Sequence, residues 1–283
     1  MKIKKKKIFL GTAQFFSNYG ILNDNKNFSK KHFYDILELA GKNDIFNYDT
    51  APGYNSEKFL GNFINANQIH KAKVITKIPK IIGNYKKFLE KQINQSLKNL
   101  RTEINTLFFH NTDDINFFIK DPKFFLNLKN KFPLKNIGFS VYEINDLRKI
   151  KSYKENLSLQ VPYNILNNSF SKIVINKRFQ PIFARSIFLQ GILLKKIKKN
   201  RNKNLKLSVE NYINFLLKKR ISPLKYNLSF INNQKKINYF IFGIEKKKQL
   251  NEIINTEFKK YNLKYQKKIN SFFNKADIDP RYW

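Results

Sequence analysis

Four residues could do chemistry together: Asp49, Tyr54, Lys77 and His110. Asp49 closes an apolar run, in Asn47-Tyr48-Asp49-Thr50, and Tyr54 follows five residues later. Lys77 closes the run Lys73-Val-Ile-Thr-Lys77, and His110 closes Leu107-Phe-Phe-His110. A tyrosine alone is a weak acid near neutrality, with a pKa of ~10. A neighbouring ammonium favours its phenolate and lowers that value, and a carboxylate beside the ammonium keeps it charged and oriented. A histidine can hydrogen-bond a substrate oxygen or relay a proton. Such a set can protonate a carbonyl oxygen while hydride arrives on its carbon, or run the reverse. Each residue also has a plain structural reading. Asp49 could cap a strand–loop junction, Tyr54 is one of 14 tyrosines, Lys77 is one of many lysines, and His110 could be a hydrogen-bonded core histidine. The joint placement of the four is what carries weight.

That placement needs strands that end side by side. Short β-branched or aromatic runs occur at 7–11, 45–49, 73–77, 106–110, 136–140, 157–161, 181–184 and 239–243. Most are continuously apolar, the habit of strands buried on both faces of a parallel sheet. Helical periodicity falls between them, at 30–43, 57–66, 85–100, 208–218 and 246–255. Eight strands alternating with helices, near the ~250 residues usual for the fold, predict an α/β chain folded as a single (β/α)8 TIM barrel. A doubly wound open sheet uses the same alternation, but no Gly-x-Gly-x-x-Gly follows the first run. No linker divides the chain, so residues 1–283 are expected to form one domain. The Lys- and Asn-rich segment 195–205 reads as an exposed connection, and the tail 276–283, with its Arg and aromatic residues, as packing back on the body. In such a barrel the C-terminal strand ends carry the active site, where Asp49, Lys77 and His110 would stand.

The residues around these positions resemble the aldo-keto reductase family, in the compact form of its bacterial members. The similarity runs through Phe46-Asn-Tyr-Asp49-Thr-Ala-Pro-Gly-Tyr54-Asn-Ser-Glu57-Lys-Phe-Leu-Gly61, the Lys77 and His110 runs, and Ile137-Gly138-Phe139-Ser140. It continues through Gln160-Val161-Pro162-Tyr163-Asn164, Ala184-Arg185-Ser186 to Gln190-Gly191, and Phe242-Gly243-Ile244 to Gln249-Leu250-Asn251-Glu252. The blocks keep the family's order across residues 7–255. The resemblance implies an NAD(P)H-dependent oxidoreductase acting on an aldehyde or ketone, a sugar among the candidates. It makes Tyr54 the general acid, Lys77 its pKa-lowering partner, Asp49 the partner of Lys77, and His110 the group orienting the substrate carbonyl. It places Gly11, Thr12 and Asp49 near the nicotinamide, Ser140 and Gln160 on the carboxamide, and Arg185 on the nicotinamide ring. Ser186 and Phe188 then begin the loop over the pyrophosphate. Gly243, Ile244, Lys246, Gln249 and Glu252 approach the adenosine, with a helix N-terminus favouring anionic groups. NADP(H) is favoured over NAD(H) on the family's habit alone. Three positions depart from the usual pattern: Val141 and Ile253 where Asn is frequent, and Gln249 where Arg often grips the 2′-phosphate. Lys246, Lys247 and Lys248 could supply replacement charge. The aromatic segment Phe15-Phe16-Ser-Asn-Tyr19-Gly20 suits a sugar or ring face, or plain packing.

Composition narrows the alternatives. The 283 residues hold 55 Lys and Arg against 20 Asp and Glu, a formal charge of +35. Only seven of the basic residues are Arg, the side chain that specific nucleic-acid readers favour, so the charge reads as a solvated Lys surface with no specific nucleic-acid partner. Aromatic residues make up 15%, which excludes a disordered polycation. No apolar run approaches the ~20 residues of a membrane span, and no secretory leader is evident, so a cytoplasmic protein is expected. There is no cysteine, and His32, His70 and His110 stand in separate segments, so no metal site is expected. A barrel that binds cofactor as a sensor, without useful turnover, remains the alternative to an enzyme with a small-molecule carbonyl substrate. Nothing in the sequence fixes an oligomeric state.

Overall fold

The computed structural model describes residues 1–16, 28–150, 157–171, 179–197, 202–260 and 263–283. Part of the aromatic segment (17–20) and part of the Lys-rich connection (198–201) lie outside the described residues. In chain order the elements are β1 (Ile8–Gly11), α1 (Lys30–Gly41), β2 (Asn47–Asp49), α2 (Glu57–Ala66), β3 (Lys73–Ile78), α3 (Tyr85–Leu100), β4 (Ile104–Phe109), α4 (Ile115–Lys120), α5 (Pro122–Lys131) and β5 (Leu134–Ser140). They continue with α6 (Ile144–Arg148), β6 (Leu157–Pro162), β7 (Phe179–Arg185), α7 (Lys203–Lys218), α8 (Pro223–Asn232), β8 (Tyr239–Gly243), α9 (Lys247–Asn255) and α10 (Gln266–Asn270). The eight strands are parallel and close in sequence order, β8 pairing back onto β1. The predicted (β/α)8 barrel is therefore the fold.

Apolar runs became strands because both of their faces are covered. Every residue of β1, β2 and β6 is buried. The helices cover the outer face with one apolar stripe each. In α1, Phe33, Ile36, Leu37 and Ala40 repeat at helical spacing and are buried, while the Ser29 side chain caps the start by accepting from His32 N at 3.1 Å. Phe15 and Phe16, the described part of the aromatic segment, pack on this layer, against Phe33 (centroids 4.7 Å apart) and Phe59 (4.4 Å). In the described part, then, the segment's aromatic character serves packing.

Boundaries shifted where capping and turn chemistry overrode composition. β4 starts at Ile104 and stops at Phe109, leaving His110 in the loop, and β7 runs from Phe179 to Arg185. The connection 195–205 is shorter than its Lys and Asn content suggests, because Asn202 caps α7 by accepting from Leu205 N at 3.0 Å. Helices α4, α5, α6, α8 and α10 lie outside the five stretches of helical periodicity in the sequence. Asp121-Pro122 looks like a turn, yet Asp121 Oδ1 accepts from Phe124 N (3.2 Å) and Pro122 occupies the first helical position of α5. Ser222 and Pro223 open α8 in the same way.

Inside the barrel a separate apolar layer forms from Phe9, Ile75, Phe108, Phe183 and Ile241, with Tyr239 packed against it. Phe183 meets Phe9 and Phe108 edge to face, with centroids 5.2 and 5.4 Å apart. This layer is the floor of the site.

Candidate active site

Strand side chains alternate, so a residue two positions beyond an interior residue also faces the interior, one layer higher. Two positions beyond Phe9, Ile75, Phe108, Phe183 and Ile241 stand Gly11, Lys77, His110, Arg185 and Gly243. Of the remaining strands, β2 ends on Asp49 and β5 on Ser140, and in β6 Gln160 pairs with Ser140, two residues before the strand's end. Seven strands thus each place a residue expected from the sequence in one ring at the C-terminal mouth, and His110 joins it from the position that follows β4.

A buried hydrogen-bond chain links part of this ring. Lys77 Nζ donates to Asp49 Oδ1 at 2.8 Å and to Thr50 O at 2.9 Å. Gln160 Nε2 donates to the same Asp49 oxygen at 2.9 Å, and Ser140 Oγ donates to Gln160 Oε1 at 3.1 Å. Lys77 is 2% exposed and Asp49 5%. A charge pair this deep persists only when each charge meets its partner and further hydrogen bonds. Behind it, Thr12 Oγ1 donates to Asp49 O (3.0 Å) and meets Ser56 Oγ (2.7 Å), which also meets Thr50 Oγ1 (2.8 Å). This hydroxyl knot holds the end of β2 and the loop that carries Tyr54.

Tyr54 ends a short 3-10 turn at Pro52–Tyr54, closed by Asn55 in the left-handed region. It is half-buried, and Lys77 Nζ lies 4.7 Å from its ring centroid. Burial, and then the Asp49 carboxylate, push the phenol pKa well above its usual value, while the Arg185 cation pulls it down. The sequence reading gave Lys77 the task of lowering this pKa. In the structure burial outweighs any such effect: the net direction is upward, and the phenol stays protonated near pH 7. His110 is pushed down to about 3, by burial first and then by the Lys77 and Arg185 cations, so its imidazole is neutral near pH 7.

A groove of about 420 Å³ runs from this ring to the start of α9. Gly11, Asp49, Tyr54, Gln160, Arg185, Ser186, Phe188, Gly243, Gln249 and Glu252 line it. Of the other residues expected at a cofactor, Thr12, Ser140 and Ile244 are buried and Lys246 is exposed, and none of these four lines the groove. The two glycines keep the rim low. A Cβ on Gly243 would fall 3.2 Å from Gln14 Oε1, and one on Gly11 3.3 Å from Ile241 Cγ2. Gln14 itself went unread in the sequence. Its Nε2 donates to Gly11 O (3.2 Å) and Ile244 O (2.8 Å), tying β1 to the loop after β8 across 230 residues of chain. Glu245 and Lys195 also line the groove and were not singled out. Lys195 follows the Gln190-Gly191 turn within four residues of Gly191, and that proximity was the available signal.

Among the described residues, Arg185 and Lys195 are the two cations that line the groove. Arg185 Nη2 donates to Val141 O at 3.3 Å and its Nη1 to Ser186 Oγ at 3.5 Å. Its Nε is buried and has no hydrogen-bond partner among the described residues. An orphaned guanidinium N–H beside a groove with glycine rims fits a flat, anionic ligand.

At the far end, Gln249 Oε1 accepts from Glu245 N (2.7 Å) and Lys246 N (3.0 Å), so its own side chain fills the backbone donors that precede α9. Lys247 lies 3.6 Å from Asp35 and Lys248 4.0 Å from Glu252.

Comparison with known proteins gives a family and agrees with the fold. The sequence model of the Aldo/keto reductase family matches residues 7–271. No curated protein matches the chain significantly. Among solved structures, the fold is similar to aldo-keto reductase AKR11C1 from Bacillus halodurans (holo form), at 15% identity, TM-score 0.74, covering 98% of this chain and 94% of that one. It is also similar to the glycerol dehydrogenase AKR11B4 from Gluconobacter oxydans, at 17% identity, TM-score 0.68, covering 94% and 90%.

Proposed function

The chain belongs to the aldo/keto reductase family, whose members are carbonyl oxidoreductases, and from that premise we propose that it interconverts an aldehyde or ketone and the corresponding alcohol with a nicotinamide cofactor, Tyr54 acting as general acid. The observation that carries the proposal is the buried Asp49–Lys77 pair, with Lys77 Nζ against the Tyr54 ring at the mouth of the barrel.

The reduced cofactor, when bound, supplies a hydride to the carbonyl carbon. The chain's residues do the rest. The Tyr54 hydroxyl donates a hydrogen bond to the carbonyl oxygen and releases its proton to that oxygen as negative charge develops there. The Lys77 ammonium, fixed by Asp49 Oδ1 and Thr50 O, stabilises the phenolate that Tyr54 becomes, and water returns the proton afterwards. His110, neutral, hydrogen-bonds and aligns the carbonyl oxygen without competing as an acid. The apolar layer beneath excludes water from the floor, which strengthens each of these electrostatic contacts. In the oxidative direction the same groups act in reverse order.

The residues present fit a nicotinamide dinucleotide. Gln160, with Ser140 behind it, would hold the carboxamide, and the Arg185 guanidinium would lie against the ring. Ser186, Phe188 and Lys195 would follow the pyrophosphate, and Gly243, Gln249 and Glu252 the adenosine. Family habit alone favours NADP(H), but the groove's lining favours NAD(H), and our reading follows the lining. Glu245 and Glu252 place carboxylates at the adenosine end, and the Gln249 oxygen already takes the backbone N–H groups that a 2′-phosphate would use. A carboxylate suits a ribose hydroxyl and repels a phosphate. The whole chain, residues 1–283, is read as one barrel domain that includes its tail.

The proposal is tested by following NADH and NADPH oxidation at 340 nm against a panel of aldehydes, ketones and sugars. Turnover of at least one carbonyl is expected. Tight cofactor binding with no turnover across the panel would favour the sensor role.

A further inference from the structure

The C-terminal residues come back to the barrel mouth, where Arg281 lies against Tyr142. The Tyr142 ring, in the connection between β5 and α6, carries two guanidinium groups. The central carbon of Arg185 lies 4.1 Å from its centroid and that of Arg281 lies 4.4 Å from it. The two cations are not equivalent. Arg281 is neutralised: its Nε donates to Asp279 Oδ1 (3.0 Å) and Oδ2 (2.9 Å), its Nη2 to Asp279 Oδ2 (2.5 Å), and Glu143 Oε1 is 3.5 Å away. Arg185 has no carboxylate within 4.0 Å among the described residues, and it lines the groove beside Tyr54.

We propose that Arg281 and Tyr142 are positioning residues for the site, the tail holding the Tyr142 ring and the ring holding the Arg185 guanidinium flat against the groove, its charge left for the bound ligand. The inference rests on the cofactor reading above for the identity of that ligand. Physically, Arg185 has three rotatable bonds beyond Cβ and only two long, single hydrogen bonds from its guanidinium, at 3.3 and 3.5 Å. Those alone do not fix a planar group. A ring face does, and a ring that is itself clamped by a second guanidinium does so more rigidly. Asp279 and Glu143 cancel the charge that would otherwise set Arg281 against Arg185. The downward pull of Arg185 on both Tyr54 and His110 gives its placement a chemical consequence. The tail therefore reaches the reacting groups through one ring and one cation.

Three variants and a control test this. Arg281→Ala and Tyr142→Ala are expected to weaken NADH binding, read by cofactor fluorescence, by about tenfold, while Tyr142→Phe, which keeps the ring, binds as the wild type does. Ser208→Ala is the control. It cuts the tail's contact at Asp277 (3.0 Å) without touching the ring, and is expected to leave binding unchanged. A second readout needs no cofactor. The Arg185 Nε–H resonance, buried in the wild type, is expected to exchange slowly with water, and to exchange fast in Arg281→Ala and Tyr142→Ala. Wild-type-like binding and exchange in those two variants would overturn the inference. An equal loss in Ser208→Ala would also overturn it, by pointing to general docking of the tail. Failure of the wild type to bind NADH or NADPH would instead overturn the cofactor reading, and the exchange measurement would still decide the role of the tail.

Discussion

His110 sits among Lys77, Arg185 and buried surface, and the result is an imidazole that resists protonation. Its folded-state pKa, about 3, lies below the unfolded value of ~6.5, so between those values the unfolded chain binds a proton that the folded chain refuses. The contribution of this residue to stability is therefore complete above pH ~6.5 and is lost as pH falls toward the folded value. Ring resonances followed by NMR from pH 8 to 5 are expected to show no titration at His110. A midpoint near 6.5 would mean a solvated ring, unable to stay neutral while aligning a carbonyl. At this scale the sequence was most informative. Asp49, Lys77 and His110 could be placed because apolar runs ended on them. The pKa directions could not, because burial dominates both shifts and burial is a property of the closed barrel.

At the scale of elements, the proposed preference for NAD(H) rests on the loop from β8 into α9. The sequence offers Gln249 as a residue near the adenosine that stands where Arg is frequent. In the structure it has a positive task, capping Glu245 N and Lys246 N with its own oxygen. Of the three lysines that could replace the Arg, Lys247 lies toward Asp35, Lys248 lies 4.0 Å from the groove-lining Glu252, and Lys246 is not in the groove lining. The expected outcome is a kcat/KM for NADH above that for NADPH by about tenfold or more. The pair Glu245→Ser with Gln249→Arg is expected to move that ratio toward NADPH. A wild-type preference for NADPH would contradict the reading. The elements themselves were legible where periodicity was strong, as in α1 and the fully buried strands. They were missed where a cap resembles a turn, as at Asp121-Pro122. Links such as Gln14 to Ile244, across 230 residues, have no local signature at all.

At the scale of the whole molecule, the charge of +35 proves the least specific feature. Among the described residues, Lys77 is the one Lys or Arg that is fully buried. Ion pairs such as Lys2–Glu257, Lys71–Asp44 and Lys248–Glu252 are exposed, of a kind worth ~0–1 kcal/mol each. No helix among the described residues is long and apolar enough to cross a membrane. The barrel gathers its candidate residues into one layer above an apolar floor, and in the proposed function Tyr54 gives up its proton there. The direct measurement is steady-state carbonyl reduction by Tyr54→Phe under saturating NADH, with cofactor binding measured alongside. The expected result is unchanged binding with kcat lower by about 10²–10⁴-fold, the range for a lost general acid. Turnover equal to that of the wild type would contradict the account.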